Sequence, residues 1–155
     1  MALTATAPSH LLTNLKKSLT LKNSYKVVAA NPNRVNIYLD KKMRMSNHHV
    51  YESYDRILLP IANRLFVERE NYPMTIIYMK LKYCGYSYGI FERILKDNQY
   101  VGETNDPAAR LFAQFHAPQT KQMKKSILSE IKKTDSRIRV LFATSALGMG
   151  WMHLM

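Results

Sequence analysis

Residues Arg139-Val-Leu-Phe-Ala-Thr-Ser-Ala-Leu-Gly-Met-Gly150 run from an apolar stretch straight into a turn of small residues and two glycines. The segment 138–144 reads as a β-strand, and the turn after it is chemically permissive. Small residues let a backbone approach a ligand, and hydroxyls and amides offer hydrogen bonds to phosphate. In open α/β sheets ligands bind beyond the carboxyl ends of the strands, which is where Thr144 and Ser145 fall. By itself a strand ending in Gly-x-Gly is more often a tight turn than a site.

Working outward, Met74-Thr-Ile-Ile-Tyr-Met79 is a compact β-branched run, expected as a strand buried on both faces. Residues 83–97 read as a helix with Ile90, Phe91, Ile94 and Leu95 inward. A turn over Gly102–Pro107 precedes a strand at 110–116 and a basic amphipathic helix at 119–132. Strand, helix, strand, helix, strand predicts an α/β domain with a mainly parallel sheet. Upstream, Val50, Tyr54, Ile57, Leu58, Ile61 and Leu65 recur at helical spacing over 48–69. Pro60 inside that pattern is expected to kink or divide the helix. A first helix spans Pro8 to Leu19, short strands are expected at 25–30 and 35–39, and 41–47 suits a basic linker.

Five segments in order carry a family resemblance. The string 139–150 resembles motif V of superfamily 2 helicases in the form RecQ proteins carry, Ala-Thr followed by Gly-Met-Gly. Ala2-Leu-Thr-Ala-Thr-Ala7 resembles motif III of that family. Asn33-Arg34-Val35-Asn36-Ile37 resembles its inter-lobe Asn-Arg-Pro-Asn-Ile segment, with Val35 in place of proline. Thr75-Ile-Ile-Tyr78 matches the motif IV strand, and Phe115-His116-Ala117, with Lys124 downstream, matches the segment before motif V. Motif IV departs from the family where Met79-Lys80-Leu81-Lys82 replaces Cys, Ser and a base. Motif V departs where Trp151-Met-His-Leu-Met155 replaces the usual Val-Asp continuation.

The resemblance implies a RecQ-like, ATP-dependent 3′–5′ DNA helicase, and an internal part of one, from motif III to motif V. The implied organisation is the end of a first RecA-like lobe with the inter-lobe linker over 1–47, and a connecting helix over 48–69. An incomplete RecA-like second lobe over 70–150 and a divergent tail over 151–155 complete it. Thr144, Ser145, Gly148, Met149 and Gly150 would face nucleotide and DNA. Thr4, Ala5 and Thr6 would sit at the lobe interface with Asn33, Arg34 and Asn36 between lobes, and Lys80, Lys82, His116 and Lys124 would touch nucleic acid. A nuclear location and a missing lobe or full-length relative as partner are implied by the family in the same way. The complete family enzyme uses ATP and Mg²⁺. This chain contains neither a Gly-x-x-x-x-Gly-Lys-Ser/Thr loop nor an Asp-Glu-x-His box, and Gly85-Tyr-Ser-Tyr-Gly89 has the wrong spacing for the former. No arginine-finger motif is present either. The 155-residue chain alone is therefore expected to turn over no ATP, and no catalytic residue is assigned. A non-catalytic basic module that binds nucleic acid, and an incomplete gene product, are the other two readings.

Composition narrows the classes further. The net charge is +12, and it is uneven: residues 1–47 hold eight Lys/Arg against Asp40, residues 48–118 balance eight against eight, and 119–155 hold seven bases against two acids. Such an excess suits a polyanionic partner through counterion release, or simply a solvated surface. A single cysteine, Cys84, rules out a disulfide within the chain, and it reads as a small buried residue. His48 and His49 diverge by roughly 100° on a helix and cannot share a metal, so no metal site is expected. Tyr83, Tyr86 and Tyr88 read as core or interface residues, with base stacking as the alternative. No apolar run reaches the roughly 20 residues of a membrane span.

Overall fold

The computed structural model describes residues 9–22, 24–28, 34–43, 49–102 and 106–148. The chain divides into two compact units, Met1–Asp40 and Lys41–Met155. In the first, helix α1 spans Ser9–Ser18 and ends in a turn with Thr20 at φ 47°. The strands expected at 25–30 and 35–39 do not form among the described residues: 25–28 is irregular, and 35–36 is a turn. The reason is that the described residues of this unit hold no sheet to join. Val28, Tyr38 and Leu39 are each almost fully exposed, and β-propensity without a pairing neighbour does not make a strand.

The second unit is a mixed α/β fold around a three-stranded, all-parallel sheet in the order β1-β3-β2. Strand β1 is Thr75–Tyr78, β2 is Phe112–Phe115 and β3 is Val140–Ala143, with Thr75 and Phe112 both opposite Val140. Helix α2 (Val50–Glu68) precedes the sheet, α3 (Leu81–Leu95) links β1 to β2, and α4 (Lys121–Ile131) links β2 to β3. All four residues of β3 are buried, as its apolar sequence and central position require. Their side chains alternate between two cores. Val140 and Phe142 pack with Ile90 and Phe91 of α3 and with Leu58, Ala62 and Leu65 of α2. Leu141 and Ala143 pack on the other face with Leu128 of α4 and with Leu147. Crossovers that run in opposite directions must leave their helices on opposite faces if both are right-handed, and they do.

Two local expectations change. Helix α2 is not divided at Pro60: it runs unbroken from Val50 to Glu68, because Leu58, Ala62 and Leu65, all at zero exposure, fix both halves to one core. Each buried Leu contributes roughly 1.5–3 kcal/mol, comparable to the ~3 kcal/mol a helical proline costs. Strand β1 is half-buried, not buried on both faces. It lies at the sheet edge, Ile77 packs toward α3, and Ile76 and Tyr78 on the opposite face are 39% and 62% exposed. Helix α4 sits over β2 and β3 and leaves that part of the sheet uncovered.

Side-chain hydrogen bonds tie the layers together. Tyr86 of α3 donates to Asp55 Oδ1 of α2 at 2.5 Å, and burial followed by that bond pushes its hydroxyl pKa up to about 12. Arg110, just before β2, donates to the hydroxyls of Tyr88 and Tyr100 and pairs with Glu92 at 3.1 Å. In the last turn of α4, Glu130 accepts from Lys133 Nζ (2.7 Å), the Arg137 backbone N–H (3.0 Å) and Arg137 Nε (3.3 Å). No described helix is long and apolar enough to cross a membrane.

Candidate functional site

The carboxyl ends of the three strands meet at one place, and hydrogen bonds lock them in register. The Met79 N–H donates to the Ala143 carbonyl at 2.9 Å, and the Thr144 N–H donates to the Phe115 carbonyl at 3.1 Å. Beyond these bonds lies an open groove of about 670 Å³, lined by Tyr78, Met79, Lys80 and Leu81 after β1, Ala117 and Pro118 after β2, and Thr144 and Ser145 after β3. The chain leaves β1 toward the α3 face and leaves β3 toward the α4 face, where Leu147 is buried. Neighbouring strands whose connections part to opposite faces open a crevice between them, the usual ligand position in α/β sheets.

Each wall has a local cause. After β1, Lys80 occupies the cap position of α3 with extended backbone and no capping side-chain bond. The first turn of α3 therefore brings backbone N–H groups and the positive end of the helix dipole to the groove, beside the Lys80 ammonium. After β2, Gln119 braces the turn: its Oε1 accepts the His116 N–H at 3.0 Å and its Nε2 donates to the Gln114 carbonyl at 2.9 Å. Thr120 then caps α4 by accepting the Met123 N–H at 3.2 Å. Lys124 reaches back past the start of α4 and donates to the Ala117 carbonyl at 3.2 Å. After β3, Thr144 Oγ1 accepts the Ala146 N–H at 3.3 Å and starts the helical turn 146–148.

The groove is basic in character. Among its described lining residues Lys80 is the one charged side chain, and Lys124 stands behind Ala117. His116, next to Ala117, has its pKa lowered, by burial first and then by the Lys124 charge. Its Nδ1 is buried and has no protein hydrogen-bond partner among the described residues. Among the described residues, nothing lies within 4 Å of where a side chain on Gly148 would begin.

The residues singled out from sequence divide clearly. Lys80, Thr144 and Ser145 line the groove; Lys124 donates to the carbonyl of the lining residue Ala117, His116 precedes Ala117 in the chain, and Gly148 lies in the helical turn 146–148 that follows Ser145. Lys82 is not in the lining: its Nζ lies 4.8 Å over the Tyr83 ring on the first turn of α3. Arg34 and Asn36 belong to the first unit, in an exposed turn closed by the Ile37 N–H to the Arg34 carbonyl at 3.0 Å. Thr4, Ala5, Thr6, Asn33, Met149 and Gly150 lie outside the described residues. His49 pairs with Glu52 at 3.0 Å, and no group of three or more metal-ligating side chains occurs among the described residues. Cys84 is 1% exposed and burial raises its thiol pKa. Tyr78, Leu81 and Pro118 were not expected in a site. The alternation that buries Ile77 and exposes Tyr78 was the available signal for the first of them.

No family model matches the chain, and neither a curated protein nor a solved structure matches it.

Proposed function

We propose that the second unit is a RecQ-like, RecA-type second helicase lobe that holds one strand of DNA by its phosphates across this groove, and that the 155-residue chain does so without hydrolysing ATP. One observation carries the reading: the groove gathers the carboxyl ends of three separate strands, and Tyr78, Ala117 and Thr144-Ser145 in its lining belong to three of the segments that resemble helicase motifs. They are far apart in sequence, and the parallel sheet alone brings them to one edge. The chemistry suits a phosphodiester. The Thr144 and Ser145 hydroxyls, the N-terminal turn of α3 and the Lys80 and Lys124 ammonium groups are donors, and the net charge of +12 attracts a polyanion.

Binding is the role supported by these groups, and hydrolysis is not. Nucleotide turnover needs a lysine-bearing phosphate loop and a carboxylate for Mg²⁺, and this sequence has no such motif. In a complete enzyme of the family ATP, Mg²⁺ and the other lobe would supply the motor. Nuclear residence belongs to the same proposal. The test is an electrophoretic or anisotropy assay of the folded chain against a single-stranded oligonucleotide at low salt. Wild type should bind, and the double variant Lys80→Gln/Lys124→Gln should lose about tenfold or more at unchanged thermal stability. Undiminished binding by the double variant would move the contact elsewhere and end this assignment.

A further inference from the structure

We propose that Tyr78 and Tyr51 are base-stacking positions, so that the ligand of the groove is an unstacked single strand and not a duplex. This rests on the phosphate-binding reading above and adds the part of the ligand that faces away from the lysines. Tyr78 lines the groove and is 62% exposed, although it ends a β-strand and is flanked by Ile77, which packs into the core. Tyr51, at the start of α2, is 57% exposed but not loose. Its ring lies 4.7 Å from the Tyr86 ring and meets the Tyr83 ring edge-on at 6.2 Å. Tyr86 is in turn anchored by its bond to Asp55, so the ring that backs Tyr51 is fixed.

A large aromatic surface held in place by packing loses little conformational freedom when something stacks on it. Nucleobases are flat and need such surfaces only when they are not already stacked on each other. Each tyrosine has a lysine near it: Lys80 lines the groove with Tyr78, and Lys82 lies over Tyr83, the ring that Tyr51 contacts. Aromatic faces interleaved with ammonium groups match alternating bases and phosphates. An apolar protein surface would leave those charges unpaired. The acids nearest Tyr51 in α2 are already engaged, Glu52 by His49 at 3.0 Å and Asp55 by Tyr86.

The test compares fluorescein-labelled oligo(dT) with an oligomer of the same length and charge whose sugars carry no bases, both titrated with the whole chain by anisotropy. Wild type should bind oligo(dT) more tightly than the abasic strand. Tyr78→Ala and Tyr51→Ala should each weaken oligo(dT) by about five- to thirty-fold and change abasic binding less than about twofold. Tyr78→Phe and Tyr51→Phe should behave as wild type, since they keep the ring. Equal wild-type affinity for the two strands, or Ala variants that bind oligo(dT) normally, would overturn the stacking assignment while leaving phosphate binding intact. Binding to neither strand would overturn both.

Discussion

Replacing Glu130 by Gln should destabilise the second unit by about 1–2 kcal/mol at neutral pH, and the loss should fade in acid. Burial alone would raise this carboxyl's pKa, but the Arg137 N–H, the Lys133 ammonium and the Arg137 guanidinium outweigh that and hold it at about 2, against 4.5 when unperturbed. At 1.36 kcal/mol per pH unit the difference corresponds to roughly 3 kcal/mol. Solvent reduces it: Glu130 is 12% exposed, but Lys133 and Arg137 are 52% and 40% exposed, which lowers the figure to about 1–2 kcal/mol. Linkage sets the sign. A depressed folded-state pKa gives stability that is complete above 4.5 and is lost as the pH falls toward 2. The amide introduced by Glu130→Gln would keep an acceptor for the Arg137 N–H while removing the charge, so it isolates the electrostatic part. Urea unfolding monitored by far-ultraviolet circular dichroism should show a midpoint lowered by about 0.5–1.5 M at pH 7. At pH 2.5 the difference should shrink to roughly a quarter. Equal midpoints at pH 7, or a gap of the same size at pH 2.5, would refute the account of this turn.

Phe142→Ala should cost about 3–5 kcal/mol, because the ring is fully buried on β3 against Phe91; a thermal melt within about two degrees of wild type would contradict the packing. Cys84 should resist iodoacetamide at pH 8 until the fold is opened by urea, since its thiol is buried and its pKa raised; rapid native-state labelling would argue against that burial. Hydrogen exchange should be slowest at 140–143 and clearly faster at 25–28, where no strand forms, and equal protection in the two segments would mean that the first unit holds a sheet. The chain should release no phosphate from Mg²⁺-ATP with or without DNA, and DNA-stimulated turnover abolished by Thr144→Ala would show that its chemistry has been misread.

Elements held by local pattern together with burial were legible from sequence. The run 140–143 is apolar throughout and became the central strand, and the spacing of Leu58, Ile61 and Leu65 marked α2. Where a pattern depends on what lies opposite, it misled. Met74–Met79 looks like a doubly buried strand, yet which face is covered depends on where α4 packs, and that is not written in residues 74–79. Val27, Val28 and Val35–Leu39 have β-propensity without a partner, and propensity alone does not pair strands. Pro60 breaks a local rule, and the buried leucines on either side override it. The groove was half visible. Thr144-Ser145 were marked by their position after a strand and Lys80 by the resemblance, whereas Lys82 was drawn to the Tyr83 ring and Tyr78 emerged only from the strand's alternation. The Arg110 clamp joins residues from three segments, Tyr88, Glu92 and Tyr100, and nothing in their order announces it.

The central claim is that the groove after β1, β2 and β3 binds the phosphates of a DNA strand, and the salt dependence of that binding tests it most directly. Oligo(dT) affinity measured from about 50 to 200 mM NaCl should fall with a log–log slope near −2, the value for about three phosphate contacts at roughly −0.7 each. The Lys80→Gln/Lys124→Gln variant should bring the slope to about −1 or less while its melting temperature stays put. Binding indifferent to salt, or a folded chain that binds nothing at about 50 mM, would contradict the claim.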